Sequence, residues 1–328
     1  MTPEIIRKNL KHTWLPLFKR YGSLTLPQQA AIPEILSGRD ILLIAPTASG
    51  KTEAVMAPTL ELQKRSGAPQ GMTLYIAPTR ALVTDLYARL QGPAQELGFI
   101  AEYKHGDKPY LTKQGPPNLL ITTPESLDSL ICRKPELFKY LHALILDEIH
   151  LMDGTARGDQ VRVLIQRLAT IQEGRHFSIH LLSATVANPA TLAERYVQNC
   201  KVVQIGSPRQ IDARVMQSIE EITLYIREKR FRKVLFFCNR RESVEKLGRE
   251  LKVIFPQYPV LAHHGSLSKK ERDDSECTLK QAQVAFCVAT STLEIGIDIG
   301  DIDLVVLNEI PWSISALSQR IGRGKRRG

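Results

Sequence analysis

The stretch Ile41-Leu42-Leu43-Ile44-Ala45-Pro46-Thr47-Ala48-Ser49-Gly50-Lys51-Thr52 decides how this chain folds. Its first four residues are apolar without interruption, the composition of a parallel strand buried on both faces. Gly50-Lys51-Thr52 then opens a helix-forming run, Glu53 to Met56. A strand, a small-residue loop and Gly-Lys-Thr at the head of a helix form a cradle for phosphate. Backbone N–H groups of Thr47, Ala48, Ser49 and Gly50 converge on the anion, and Gly50 lets the backbone come close. Lys51 reaches the terminal phosphates, the Thr52 hydroxyl holds a magnesium ion, and the helix turns its positive end toward both. Ala45 stands where such loops usually begin with Gly. The plainer alternative, a strand-turn-helix with a surface lysine, fits poorly with the uninterrupted strand in front.

The 328-residue chain is long enough for two domains with substantial cores. Apolar residues make up 43% and charged residues 24%, as in ordinary globular proteins. A net charge of +10 points to a polyanionic partner, a solvated basic surface being the alternative. The cysteines Cys132, Cys200, Cys238, Cys277 and Cys287 show no metal-ligand rhythm and read as reduced thiols. No apolar run reaches the ~20 residues of a membrane helix, and the N-terminus lacks a signal-peptide core. A cytoplasmic protein is expected, with no membrane partner.

Outward from the phosphate loop, residues 1–21 predict a helical lead-in broken at Pro16. Gln28 carries an amide suited to the edge of adenine, although from spacing alone such a glutamine is more often a plain helix residue. Met72–Ala77 predicts a strand, then Pro78-Thr79-Arg80 and a helix through Leu90. Leu119–Thr122 predicts another, ending at Thr123-Pro124, where Thr123 can cap a helix. Leu141–Leu146 runs into Asp147-Glu148-Ile149-His150. Carboxylates at the end of a buried strand are costly unless they serve a ligand. Asp147 suits magnesium and Glu148 suits the attacking water. Phe177–Leu182 leads to Ser183-Ala184-Thr185, and Val202–Ile205 closes this half. Repeated strand–helix units imply an α/β fold with parallel sheets.

Gly206-Ser207-Pro208-Arg209 reads as a linker, dividing 1–206 from 207–328. The second half repeats the grammar without a phosphate loop: strands at Val234–Phe237, Val260–Ala262, Val284–Ala289 and Leu304–Leu307. Leu267–Arg272 predicts a capped basic helix. His263-His264 lacks partners at metal spacing, so packing or backbone contact is expected there.

In this order, Gln28, A-P-T-A-S-G-K-T, A-P-T-R-A-L-V-T-D (Ala77–Asp85), T-T-P-E-S-L (Thr122–Leu127), D-E-I-H (Asp147–His150) and S-A-T (Ser183–Thr185) resemble the first half of a superfamily 2 helicase core. F-F-C-N-R-R-E-S-V-E (Phe236–Glu245), H-H-G-S-L-S-K-K-E-R, A-T-S-T-L-E-I-G-I-D (Ala289–Asp298) and Q-R-I-G-R-G-K-R resemble the second. P-T-R-A-L-V-T-D, T-P-E-S-L and T-L-E-I-G-I-D look most like the large helicase-related (Lhr) group, with the Ski-type helicases next.

The resemblance implies two tandem RecA-like domains of the P-loop NTPase kind, with ATP and Mg2+ bound in the cleft between them. It implies an ATP hydrolase that translocates 3′→5′ on single-stranded nucleic acid, DNA favoured, in repair or genome maintenance. Gln28, Gly296 and Asp298 are then nucleotide contacts, and Arg323 and Arg326 offset charge on the γ-phosphate. Thr79, Arg80, Thr123, Pro124, Arg240, His264, Gly265 and Thr290 grip the strand through its backbone. His150, Ser183 and Thr185 relay nucleotide state. Gly324-Lys325 departs from the family pattern, which has a small residue and then Gly. Lhr-type proteins continue into a winged-helix and further domains, so a shorter member, or a C-terminal domain or protein partner outside this chain, is expected. An RNA or hybrid track stays open, as does a clamp or adaptor without turnover. A transporter-type ATPase leaves the second-half motifs unexplained.

Overall fold

The computed structural model of the chain describes residues 1–19, 22–46, 49–68, 70–111, 116–184, 186, 188–206, 211–294, 301–312 and 314–324. Two compact units result, Met1–Gly206 and Ser207–Gly328.

The first unit opens with α1 (Pro3–Asn9), α2 (Trp14–Phe18) and α3 (Leu26–Leu36). The alternation then begins: β1 (Ile41–Ile44), α4 (Lys51–Arg65), β2 (Met72–Ile76), α5 (Arg80–Glu96), β3 (Ala101–Lys104), β4 (Leu119–Thr122), α6 (Pro124–Arg133) and β5 (Leu141–Leu146). It closes with α7 (Ala156–Ile171), β6 (Ser178–Ser183), α8 (Pro189–Glu194) and β7 (Lys201–Gln204). The sheet order is β3-β4-β2-β5-β6-β1-β7, and every pairing is parallel. All four side chains of β1 are buried, each worth roughly 1.5–3 kcal/mol of apolar burial. Because the strands are parallel, the segments that follow them emerge at one edge, where α/β sheets bind ligands.

The lead-in is helical, but its break falls at Leu10–Thr13 rather than at Pro16. Pro16 sits in the first turn of α2, where its missing N–H has no intrahelical partner to lose. The lead-in is tied down by Glu61 of α4, whose carboxylate accepts from the His12 and Thr13 backbone N–H groups at 2.8 and 3.0 Å. Burial pushes Glu61 up, yet these bonds and those from the His12 ring and Arg65 outweigh it and hold the carboxyl below its usual range. Helix α5 runs on to Glu96, past Gly92 and Pro93, because Ala94 and Leu97 beyond them are buried.

The second unit comprises α9 (Ile219–Lys229), β8 (Lys233–Phe237), α10 (Arg241–Ile254), β9 (Val260–His263), α11 (Lys269–Gln281), β10 (Ala285–Ala289), β11 (Leu304–Leu307) and α12 (Ile314–Ile321). Its parallel sheet has the order β11-β8-β10-β9. Alternate strand residues divide between two cores: Val234, Phe236, Phe286 and Val288 on one face, Leu235, Phe237, Ala285 and Cys287 on the other. Helix α11 is capped as expected, by Ser268 and Glu271, but it is not basic throughout: Asp273, Asp274 and Glu276 follow its basic first turn, before Lys280 in the last. Among the described residues, no helix is long and apolar enough to cross a membrane.

Candidate active site

Three neighbouring strands, β5, β6 and β1, deliver the chemistry of the first unit. After β1 the chain reaches Gly50 at φ +84, the left-handed conformation glycine adopts without penalty. A Cβ there would come within 2.4 Å of Gln28 Nε2. Lys51 begins α4 and is buried, its ammonium donating to Ala45 O at 2.8 Å. Ala45 therefore supplies its carbonyl where the motif's first glycine usually stands. Lys51 Nζ lies 3.9 Å from Glu148 Oε1.

Asp147, buried directly after β5, is held at both oxygens: Tyr75 donates its hydroxyl to Oδ2 at 2.7 Å, and the Glu148 N–H donates to Oδ1 at 2.9 Å. Burial first, then the neighbouring Glu148 carboxylate, push Asp147 up to about 6. Thr52 is a further hydrogen-bonding neighbour of the Tyr75 phenol, so this tyrosine of β2 stands between the two residues expected to hold magnesium. Glu148 has φ +45, a left-handed backbone costing on the order of 1–3 kcal/mol and concentrated at functional sites. Its Oε2 is buried and, among the described residues, has no hydrogen-bond partner. Two close carboxylates, one destabilised as an anion and one with an orphaned oxygen, beside a hydroxyl and an ammonium, fit a divalent cation with a polyphosphate.

His150 Nδ1 lies 2.9 Å from Ser183 Oγ and 3.5 Å from Glu148 Oε2. The acid-bearing turn is thus linked to the end of β6, and burial pulls the imidazole below its ordinary range. Gln28 is buried, and its amide is engaged at both ends: Oε1 accepts from the Thr25 N–H at 2.9 Å and Nε2 donates to Gly50 O at 3.3 Å. Thr25 Oγ1 donates to Ser49 O at 2.9 Å. The start of α3 therefore fastens the phosphate loop from behind. Thr47, Ala48, Thr185, Gly296, Asp298 and Arg326 lie outside the described residues.

The ends of β2 and β4 carry the expected strand contacts of this unit. Thr79 caps α5 by accepting from the Leu82 N–H, and Thr123 caps α6 by accepting from the Ser126 N–H, with Pro124 as its first residue. Arg80 pairs with Asp107 at 2.8 Å, both exposed. A cavity of about 650 Å³ opens here, lined by Thr79, Arg80, Lys104, His105, Thr123 and Arg157 among others. Lys104 and Arg157 were not expected at this edge. Lys104 lies on β3, a short polar strand without an apolar run to announce it, and Arg157 reaches in from α7.

In the second unit, Arg240 immediately precedes α10 and is exposed. His264 Nε2 lies 2.8 Å from Glu245 Oε1, and His263 bridges Thr292 and Glu276 at 2.7 and 2.9 Å. His263 is thus engaged at both ring nitrogens, whereas His264 Nδ1 is buried without a hydrogen-bond partner among the described residues. Gly265 is exposed, and Thr290 follows β10. Arg323 is buried, its guanidinium donating to Glu294 O at 2.8 and 3.2 Å. Arg320, assigned no role by its motif alone, donates to Glu294 Oε1 at 2.6 Å and to Asn239 Oδ1 at 3.0 Å. Its guanidinium lies over Phe237, 5.2 Å from the ring centroid. Glu294 thereby joins Arg323 to Arg320, and Arg320 in turn holds Asn239, the residue before Arg240.

A phosphate loop at the end of β1, with an acid pair at the end of β5 one strand beyond β6 in the same parallel sheet, defines a nucleotide-binding α/β protein of the P-loop class. The DEAD/DEAH box helicase domain matches residues 25–192, and the helicase conserved C-terminal domain matches residues 214–328. The chain belongs to the DEAD/DEAH box helicases of superfamily 2, and within them to the Lhr group. It is 33% identical to the ATP-dependent helicase Lhr-Core of Methanocaldococcus jannaschii over 99% of this chain and 42% of that protein. It is 29% identical to the Lhr helicase/uracil glycosylase of Escherichia coli over 86% of this chain and 24% of that protein. The structure of Mycobacterium smegmatis helicase Lhr bound to single-stranded DNA and AMP-PNP is similar at a TM-score of 0.75 and 28% identity, over 98% of this chain and 46% of that one. The chain thus spans less than half the length of each of these relatives.

Proposed function

We propose that this chain is the motor core of an ATP-dependent nucleic-acid helicase or translocase, working on single-stranded DNA in the 3′→5′ direction in the cytoplasm, in DNA repair or genome maintenance. The observation that carries the reading is the Lys51–Glu148–Asp147 cluster, in which Glu148 Oε2 accepts no hydrogen bond among the described residues. Lys51 binds the terminal phosphates. Asp147 and Thr52 hold Mg2+, which when bound supplies Lewis-acid neutralisation of phosphate charge. Glu148 orients the attacking water and takes its proton. Arg323 and Arg326 offset charge on the γ-phosphate, and Gln28, Gly296 and Asp298 contact the nucleotide, on the strength of the family resemblance. His150 and Ser183, hydrogen-bonded to each other beside Glu148, carry nucleotide state away from the acid pair, with Thr185 following in the Ser183-Ala184-Thr185 motif.

Thr79, Arg80, Thr123 and Pro124 in the first unit, and Arg240, His264, Gly265 and Thr290 in the second, hold the phosphate–sugar backbone and track it without reading bases. DNA is favoured because the 28%-identical Lhr helicase is described with single-stranded DNA. ATP turnover measured without nucleic acid and with single-stranded DNA, RNA or a hybrid tests the reading. Stimulation by DNA above the others is expected. Stimulation by RNA or hybrid alone moves the track, and strand binding with no turnover in any condition makes the chain a clamp.

A further inference from the structure

The four parallel strands of the second unit end at one edge. Three lead into residues assigned to the nucleic-acid backbone: Arg240 after β8, His264 after β9 and Thr290 after β10. β11 ends at the same edge beside β8, with Leu307 in register with Phe237. Its continuation, Asn308 to Trp312, has no part in the function proposed above.

That continuation is firmly held. Glu309 Oε2 accepts from the Asn239 N–H at 2.6 Å, and its Oε1 accepts from Ser243 Oγ at 2.6 Å. Asn239 Nδ2 donates to Ile310 O at 2.9 Å, while Asn239 Oδ1 accepts from the buried Arg320. Pro311 fixes a backbone dihedral between the two apolar residues. Yet Ile310 is 88% and Trp312 80% exposed. A tethered backbone that carries a tryptophan into water forgoes the burial such a side chain normally finds. The residue that holds it, Asn239, is followed by Arg240 and Arg241, both exposed. An exposed aromatic side chain on an edge shared with three backbone contacts, its tether leading into two exposed arginines, is complementary to a polyanion that offers a flat ring at every repeat.

We propose that Trp312, positioned by Glu309 and Asn239, is a base-stacking platform for single-stranded nucleic acid, with Ile310 flanking it. This rests on the assignment of Arg240 to the strand. The platform holds a base where the other contacts hold phosphate, and it tolerates any sequence because every base has a π-face.

The chain has two tryptophans, and Trp14 sits in α2 against Phe18. Trp14→Phe therefore leaves Trp312 as the only indole. In that full-length background, a labelled oligothymidylate and an abasic oligomer of equal length are titrated, with binding followed by anisotropy and stacking by indole fluorescence. The oligothymidylate is expected to quench Trp312, and the abasic strand is not. Trp312→Ala should weaken oligothymidylate binding by about 5- to 100-fold, leave abasic binding within about twofold, and be largely rescued by Trp312→Phe. Oligothymidylate binding with an unquenched indole overturns the platform and leaves the proposed function standing, assigning the exposed loop to a protein surface. Equal loss of both oligomers in Trp312→Ala overturns it as well. No oligomer binding in any variant removes both the platform and the proposed function.

Discussion

Tyr75→Phe removes one oxygen from a fully buried ring and leaves the packing of β2 in place. That oxygen donates to Asp147 Oδ2 at 2.7 Å. Hydrogen bonds to charged groups contribute roughly 1.5–3 kcal/mol, so the first unit should lose about that much stability when nothing is bound. The larger effect is on metal use. With Tyr75 gone, Asp147 keeps only the Glu148 N–H and is free to rotate, and loss of such an orienting partner typically costs about 10- to 100-fold in metal affinity. Two measurements check this: urea unfolding without nucleotide, and ATP turnover against Mg2+ concentration. A rise of at least about tenfold in half-saturating Mg2+ is expected, with maximal turnover falling less. A half-saturating Mg2+ within about twofold of the unaltered chain, with stability unchanged, would refute the role given to Tyr75 and weaken that of Asp147.

Further predictions concern groups away from the acid pair. His180 is buried in β6, its Nδ1 has no partner among the described residues, and burial with neighbouring His142 pulls it down to about 3. A folded pKa below the unfolded value of about 6.5 means that stability present above pH 6.5 is lost as pH falls toward 3, amounting to about 2 kcal/mol at pH 5. His180→Leu should flatten the acid side of the urea-stability profile in that window, and an unchanged slope contradicts it. Arg320→Met leaves Glu294 buried without its partner and should cost the second unit about 3–5 kcal/mol, with Arg320→Met/Glu294→Met recovering much of it. A single-variant loss below about 1 kcal/mol would show that the pair does not hold the unit together.

Strands β4, β5 and β11 have the limits expected from their apolar runs, because Thr-Pro, Asp-Glu and Asn-Glu end those runs abruptly. β3 was not legible: Ala-Glu-Tyr-Lys is polar, and Glu102 and Lys104 are buried through tertiary contacts that composition does not report. Local propensity also misjudged α5, where packing beyond Pro93 overrides the Gly-Pro stop signal. In the site, Lys51, Asp147 and Glu148 were legible because the spacing of chemistry-bearing residues along one chain places them at strand ends. Tyr75 and Arg320 were not, since their partners stand 72 and 26 residues away and no local pattern marks the pairing. Gln28 was expected to contact the nucleotide only through the family resemblance, and its hold on Gly50 O emerges only in three dimensions.

The most direct test of the central claim, that the acid beside the phosphate-loop lysine drives strand-stimulated hydrolysis, is Glu148→Gln measured against the unaltered chain for ATP turnover on single-stranded DNA, with nucleotide and strand binding followed in the same samples. Glutamine keeps the shape and removes the base, so turnover should fall by about 10²–10⁴ while both ligands still bind. Turnover within about tenfold of the unaltered chain would contradict the account.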